Sequence, residues 1–451
     1  MTDTAKAEQA RAQVEAVARA SYGQLVAILA APHGDIAAAE DALADAFVRA
    51  LDTWPAAGIP ANPPGWIVTV ARNRLKDLWK SAPYRGSLPL DRVQGHPAEP
   101  TSALGVVEAL TGSTSDEIPD KRLALLFVCA HPAIDAAIRT PLMLQAVLGL
   151  KSSEIARAFA VPEATMAQRL VRAKRRIRNA HIPFTLPARK VMHERLPAVL
   201  EAVYGAYAID APAPPETSGT PSPDGRSAGR PGALADTSLS AESLYLAFTL
   251  AELLDDEPEA WGLAALIALS LARTSARWAA SGDVVALGSQ DPTLWDLELI
   301  DRGEAALNRA FALGEVGRFQ LEAAIQSAHC DRRRTGVTEW PAVRLLSEAV
   351  VSLSPTLGAR VALASTIAET DGATAALEYL DRHDDTDEFQ PAWATRAYLL
   401  ALLGRTVESD SAYRRAITLA ANPAVRSALQ RDRARLGATD SRATLPPHMQ
   451  G

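Results

Sequence analysis

Apolar positions recur at helical spacing through most of the chain, and they predict an all-α protein. Residues 11–50 read as two helices split at Pro32-His33-Gly34, with Asp35 as N-cap of the second. In that second helix, DIAAAEDALADAFVRAL, the residues Ile36, Ala39, Leu43, Phe47 and Leu51 fall on one side, and Glu40, Asp41 and Asp45 form an acidic patch. A Pro/Gly-rich loop follows at 54–65, then a helix at 66–80, WIVTVARNRLKDLWK, whose charges include Arg72, Arg74, Lys76 and Lys80. Residues 81–118 carry four prolines and little periodicity, which predicts a flexible connector. Helical patterning resumes from Pro119 to His181.

Within that second helical block, a short helix runs from Ser152 to Phe159, with apolar Ile155, Ala156 and Phe159. Ala160-Val161-Pro162 breaks it, since proline has a fixed φ and no N–H. Beyond the break, Met166, Leu170, Ala173 and Ile177 make one apolar stripe at spacings of 4, 3 and 4. Thr165, Arg169, Arg172 and Arg176 group on a different face, with Gln168 at its edge. The pattern is that of a helix-turn-helix whose second helix packs by one side and presents a cationic, hydrogen-bonding side outward. Such a helix fits a DNA major groove, where Arg bonds guanine edges and Gln bonds adenine. Basic residues beyond the reading positions would grip phosphates. An ordinary helical pair with a solvated basic face is the alternative.

Further on, residues 212–238 are rich in Pro, Gly and Ser and read as disordered. From Leu239 to about Leu436 almost everything reads as helix. The last stretch places Trp393, Ala397, Leu400, Gly404, Tyr413 and Ala416 at the spacings of a tetratricopeptide-type repeat, and similar turns surround Gly317 and Gly372. Such pairs stack into a groove that binds peptides or proteins; a generic helical bundle is the alternative.

Charge changes the picture more than bulk composition does. The 451-residue chain has net charge −7, yet Lys151 to Lys190 holds ten Lys or Arg against two Glu. A basic segment inside an acidic protein points to a polyanion partner. Length predicts two to four domains. No run of 18 apolar residues predicts a membrane span, the N-terminus does not read as a signal peptide, and cytoplasmic residence follows as the default. Cys129 and Cys330 form no disulfide framework or zinc-site spacing, and Cys129 with His131 lacks the partners of a metal site. The eight His are scattered, with no nucleophile–base spacing or phosphate-binding glycine loop. The reading is therefore of a non-enzyme with no cofactor.

The order of these pieces resembles an extracytoplasmic-function (ECF) RNA polymerase sigma factor. AEDALADAFVRALDTWP resembles the helix of sigma region 2 that docks on the polymerase clamp, which implies Glu40, Asp41 and Asp45 as polymerase-binding residues. NPPGWIVTVARNRLKD resembles the part that melts and reads the −10 element, which implies Asn62, Trp66, Arg72, Asn73 and Lys76 as DNA contacts. IPDKRLALLFVCAHPAI with EIARAFAVPEATMAQRLVRAKRRIR resembles sigma region 4, which reads the −35 element. Its implied contacts are Thr165, Gln168, Arg169, Arg172, Lys174, Arg175 and Arg176. The wording of this block, with IPF at 182–184, resembles a subgroup carrying a long C-terminal helical extension with tetratricopeptide-like repeats.

The resemblance implies region 2 at 11–80, a linker at 81–118, region 4 at 119–186, and the extension at 187–440 with the insert at 212–238. It implies core RNA polymerase and promoter double-stranded DNA as partners, a protein partner for the repeats, and no membrane. The chain departs from the family where Ala44 replaces a usual Gln, where Tyr204-Gly-Ala-Tyr replaces an Asn-Glu-Gly-Tyr run, and at Gln290-Asp291-Pro292. Two other readings remain open: a helix-turn-helix regulator that does not join polymerase, and a repeat scaffold. The first leaves residues 35–80 without a role.

Overall fold

The computed structural model describes residues 3–80, 121–159, 161–210, 238–279, 285–383, 387–420 and 423–443. The predicted connector at 81–118 lies outside them, as does the predicted insert at 212–238 except Ser238. Among the described residues the structure is helical with no β-strand, as the periodicity predicts. The chain forms two compact units: residues 1–209 with 235–250, and residues 210–234 with 251–451.

The first unit opens with three mutually packed helices, α1 (Asp3–Ala30), α2 (Ile36–Ala57) and α3 (Pro63–Lys80). Asp35 is the predicted N-cap of α2, accepting the Ala38 amide at 3.1 Å. The buried face of α2 includes Ile36, Ala39, Leu43, Ala46, Ala50 and Trp54. The predicted stripe holds as far as Leu43 and then drifts. A helix turns every 3.6 residues, so a run of spacings of four rotates off the core face. Phe47 is half-buried and Leu51 is exposed, while Ala46, Ala50 and Trp54 take the inward positions. The predicted loop at 54–65 is also shorter than expected. Trp54 anchors a last turn of α2 that carries Pro55, and the Gly58 amide closes it on the Trp54 carbonyl at 2.9 Å. At the other end, α3 starts on Pro63, where a missing N–H costs nothing.

Among the described residues, the next four helices are α4 (Lys121–Cys129), α5 (Ala136–Ala146), α6 (Ser152–Ala158) and α7 (Glu163–Asn179). Seven consecutive residues of α4, Leu123 to Cys129, are buried, so this helix is a central strut packed on both α1 and α5. α7 packs on α5, α6 and α2. Thus regions 2 and 4 of the sequence reading lie in one compact unit.

The next helix, α8 (Arg189–Asp210), buries Leu196, Val199, Leu200, Ala202, Val203 and Ala206. Arg195 donates to the Phe127 carbonyl of α4 at 2.9 Å. The compact units therefore divide elsewhere than between 186 and 187, since α8 up to Ile209 falls in the first unit. The first part of α9 (Leu239–Leu253) also belongs to this unit, and Glu242 on it pairs with Arg122.

In the second unit, α10 (Pro258–Leu271) is apolar all round and almost wholly buried, as a central helix must be. Around and beyond it run α11 (Leu297–Ala312), α12 (Arg318–Cys330), the short α13 (Arg332–Thr335), α14 (Trp340–Leu353), α15 (Leu357–Asp371), α16 (Ala373–Asp381), α17 (Gln390–Leu402), α18 (Thr406–Leu419) and α19 (Pro423–Ala443). From α14 onward each helix packs on the next, the neighbour-to-neighbour pattern of stacked helix pairs. In the last pair, Ala397, Leu400, Tyr413 and Ala416 are buried at the inward positions, and Trp393 is half-buried. Gly404 sits at φ +71°, which only glycine adopts without strain, so α18 can reverse tightly onto α17.

Candidate nucleic-acid interface

The predicted second helix of the motif is α7. Glu163 stands in its first turn, against the positive end of the helix dipole. Met166, Leu170, Ala173 and Ile177 are all buried, as the stripe predicts. Gln168, Arg169, Arg172, Arg175 and Arg176 are exposed, and Thr165 is half-buried beside them. The structure brings these six together on the outer side of one helix. Val171, 65% exposed, adds an apolar patch to the same side.

Lys174 is different. The sequence reading groups it with the DNA contacts, but it is buried, and its ammonium lies 2.5 Å from the Glu40 carboxylate on α2. The physical reason is its place on the helix: it stands next to the buried Ala173, on the flank that α2 covers. One turn on, Arg178 donates to the Asp35 carboxylate at 3.4 Å. Asp35 is 4% exposed and uses its other oxygen as the N-cap of α2.

Of the acidic patch on α2, Asp41 and Asp45 are exposed, whereas Glu40 is not. Burial pushes the Glu40 carboxyl above its ordinary range, and the Lys174 charge opposes that shift. One Glu40 oxygen, Oε1, is buried without a hydrogen-bond partner. Tyr22 of α1, close to both Glu40 and Asp41, is pushed up by burial and then by those two negative charges. Asp45 pairs with Arg74 of α3 at 2.8 Å, both side chains being more than half exposed.

The residues assigned to the −10 element lie along α3 and just before it. Asn62 spends its side-chain oxygen on the Gly65 amide at 3.0 Å, so in this state it caps α3. Trp66 is half-buried, edge-on to Trp54 with ring centres 5.5 Å apart. Arg72 is half-buried, and burial lowers its pKa. Asn73 and Lys76 are exposed. Sequence reasoning missed the pairings of Glu40 with Lys174 and of Asp35 with Arg178. They join residues 134 and 143 positions apart, and no local spacing signals them.

Residues 17–83 match the model of Sigma-70 region 2. Residues 195–311 match a family of unknown function, DUF6596. SigI of Mycobacterium tuberculosis, described as a probable ECF RNA polymerase sigma factor, is 31% identical over 169 residues, 38% of this chain and 56% of SigI. The ECF RNA polymerase sigma factor SigL of the same organism is 28% identical over 179 residues, 39% of this chain and 94% of SigL. The chain is thus similar to ECF RNA polymerase sigma factors over 38–39% of its length, with the region 2 match inside residues 17–83, which supports an ECF sigma factor. It carries a long helical C-terminal extension, and so resembles along most of its length the uncharacterized protein R00370 of Rhizobium meliloti, 34% identical over 387 residues, 85% of this chain and 86% of that protein. No solved structure matches.

Proposed function

We propose that this sigma factor binds core RNA polymerase through α2, opens and reads a −10 element through α3 and the residues before it, and reads a −35 element through α7. The observation that carries the reading is the outer side of α7. Five exposed side chains there, four of them Arg, stand above a fully buried apolar stripe. Arg presents a planar fork of donors that matches guanine edges and phosphates, and Gln168 adds an amide suited to adenine. The exposed Asp41 and Asp45 support α2 as the acidic face offered to a basic clamp, because electrostatic complementarity sets specificity and on-rate. Asn62 and Trp66 can serve base capture only after leaving the cap and the stack they occupy, a rearrangement that polymerase and DNA would drive.

The stacked helix pairs of the second unit fit a tetratricopeptide-like surface for a protein partner, through which the extension would regulate initiation. The chain acts by binding and needs no catalytic step or cofactor of its own. Among the described residues, no helix is long and apolar enough to cross a membrane, and cytoplasmic work beside polymerase fits the reading. Pull-down with core polymerase, followed by run-off transcription from a promoter template, tests it. The reading requires stoichiometric binding and specific transcripts. A chain that binds DNA but not core polymerase would instead be a free helix-turn-helix regulator.

A further inference from the structure

The flank of α7 that carries Lys174 and Arg178 is separate from its outer side. A helix lying in a major groove has a phosphate backbone beside each flank, and cations on the flanks are the ones that reach phosphates. Here that place is taken by carboxylates of the same chain. Lys174 meets Glu40 at 2.5 Å, with side chains only 9% and 17% exposed. Arg178 meets Asp35 at 3.4 Å, and Asp35 is nearly inaccessible. The two cations are four residues apart on α7, so they form one ridge, and the two carboxylates come from the first turns of α2.

We propose, resting on the function proposed above, that Asp35 and Glu40 act as an intramolecular phosphate mimic that latches α7 against α2. While the latch is closed, the buried Lys174 cannot reach DNA phosphates, and Arg178, still 44% exposed, is drawn towards Asp35. An acidic helix also stands where one phosphate strand would run, and like charges repel. Glu40 belongs to the α2 surface assigned to polymerase, so docking on polymerase and release of the −35 helix become one event. The free protein is held from promoter DNA, and the assembled enzyme is not. The arrangement suits opening, because the buried Glu40 Oε1 lacks a partner and part of its desolvation cost is left uncompensated.

The test uses the full chain without polymerase. A fluorescent mixed-sequence duplex of three helical turns is the probe, since phosphate contacts are independent of sequence. Glu40→Gln keeps the shape of the side chain and removes its charge. The expected result is duplex binding at least about fivefold tighter than for the wild type, the low end of a usual coupling between sites. Unchanged or weaker binding by a folded Glu40→Gln chain overturns the latch. Arg175→Ala, at an exposed basic position beyond the base-reading face, is the control on the underlying reading. If it does not weaken duplex binding, α7 is not the DNA-binding helix, and the latch falls with that assignment.

If Glu40→Gln loses helix content, hydrogen exchange on the wild-type chain decides. Adding duplex should speed exchange in peptides covering residues 36–50, because α2 loses its cover. Unchanged or slower exchange there would show that DNA binds without opening, and would overturn the proposal.

Discussion

Gly23 of α1 lies against the backbone of Val147, just past the end of α5: a Cβ at residue 23 would stand 1.6 Å from the Val147 carbonyl oxygen. The obstacle is backbone, so no rotamer change can relieve it. Gly23→Ala should therefore push α1 away from α5 and cost about 1–3 kcal/mol, the usual range for overpacking. Urea unfolding of the full chain should show the loss as a lower midpoint of the transition that includes α1. An unaltered midpoint would mean that the two helices slide apart without cost.

The exposed carboxylates of α2 offer a test of the polymerase surface. Asp41→Arg with Asp45→Arg should abolish co-elution with core polymerase while leaving helix content intact. The Asp45–Arg74 pair is solvent-exposed, and such pairs contribute only about 0–1 kcal/mol to folding. Normal co-elution of the double variant would place the polymerase contact elsewhere.

On α7, Arg169→Ala or Arg172→Ala should each cost roughly 1–3 kcal/mol of promoter affinity where the Arg bonds a base, and should relax the preference there. Lys174→Ala should behave otherwise. Its amine is spent on Glu40, so its loss leaves a mostly buried carboxylate unpaired and should lower folding stability by about 2 kcal/mol or more. Adding Glu40→Gln should restore much of that loss. Denaturant midpoints of the two single variants and the double variant form the cycle that checks this. Simple additivity would show that the pair is not coupled.

His329 on α12 gives the second unit an acid sensitivity. Burial, and then the charges of Arg273 and Arg332, lower its pKa to about 4. The unfolded residue titrates near 6.5, so between those values the unfolded chain takes up a proton that the folded chain refuses. The stabilising contribution is complete above about pH 6.5 and is lost as the pH falls towards 4, up to about 3 kcal/mol. His329→Phe keeps a ring beside Trp340, whose ring centre lies 5.6 Å away, and cannot titrate. Thermal melts from pH 7 to 4 should show a shallower fall for this variant. Parallel pH profiles for variant and wild type would assign the sensitivity to other groups.

What the sequence makes legible here is what is local. The stripe Met166, Leu170, Ala173 and Ile177 fixes which side of α7 is buried, and hence that Arg169, Arg172 and Arg176 face outward. The Asp35 cap follows from one residue type at one position. The small residues hid the rest. Ala46 and Ala50 carry no strong hydrophobic signal, so spacing alone points to Phe47 and Leu51 for the inward face of α2. Long-range pairing leaves no periodic trace: helical period puts Lys174 beside the apolar stripe and Arg175 opposite it, but nothing local names Glu40 as the partner of Lys174. The division into compact units is not legible for a related reason, since the helical pattern of α8 says that it buries a face but not which neighbour receives it.

That boundary supports the last prediction. A cut before Val191 removes most of α8, whose Leu196, Val199, Leu200 and Val203 are at most 3% exposed and whose Arg195 donates to the Phe127 carbonyl. The remaining fragment would present to water the apolar surface that those side chains cover. At about 25 cal/mol per Å² of apolar area, uncovering four large aliphatic side chains forfeits several kcal/mol, comparable to the whole stability of a small domain. Fragment 1–190 should therefore be poorly folded or aggregated. Fragment 1–253 retains α8 and the part of α9 in which Glu242 pairs with Arg122, and it should give a cooperative melt. The two fragments also separate two meanings of lost transcription. If only 1–190 fails with core polymerase in run-off assays, the loss is one of folding. If 1–253 differs in transcript yield from the full chain, residues beyond 253 regulate initiation. A cooperative melt for 1–190 equal to that of 1–253 would show that α8 is dispensable to the core and would return the boundary to residue 187.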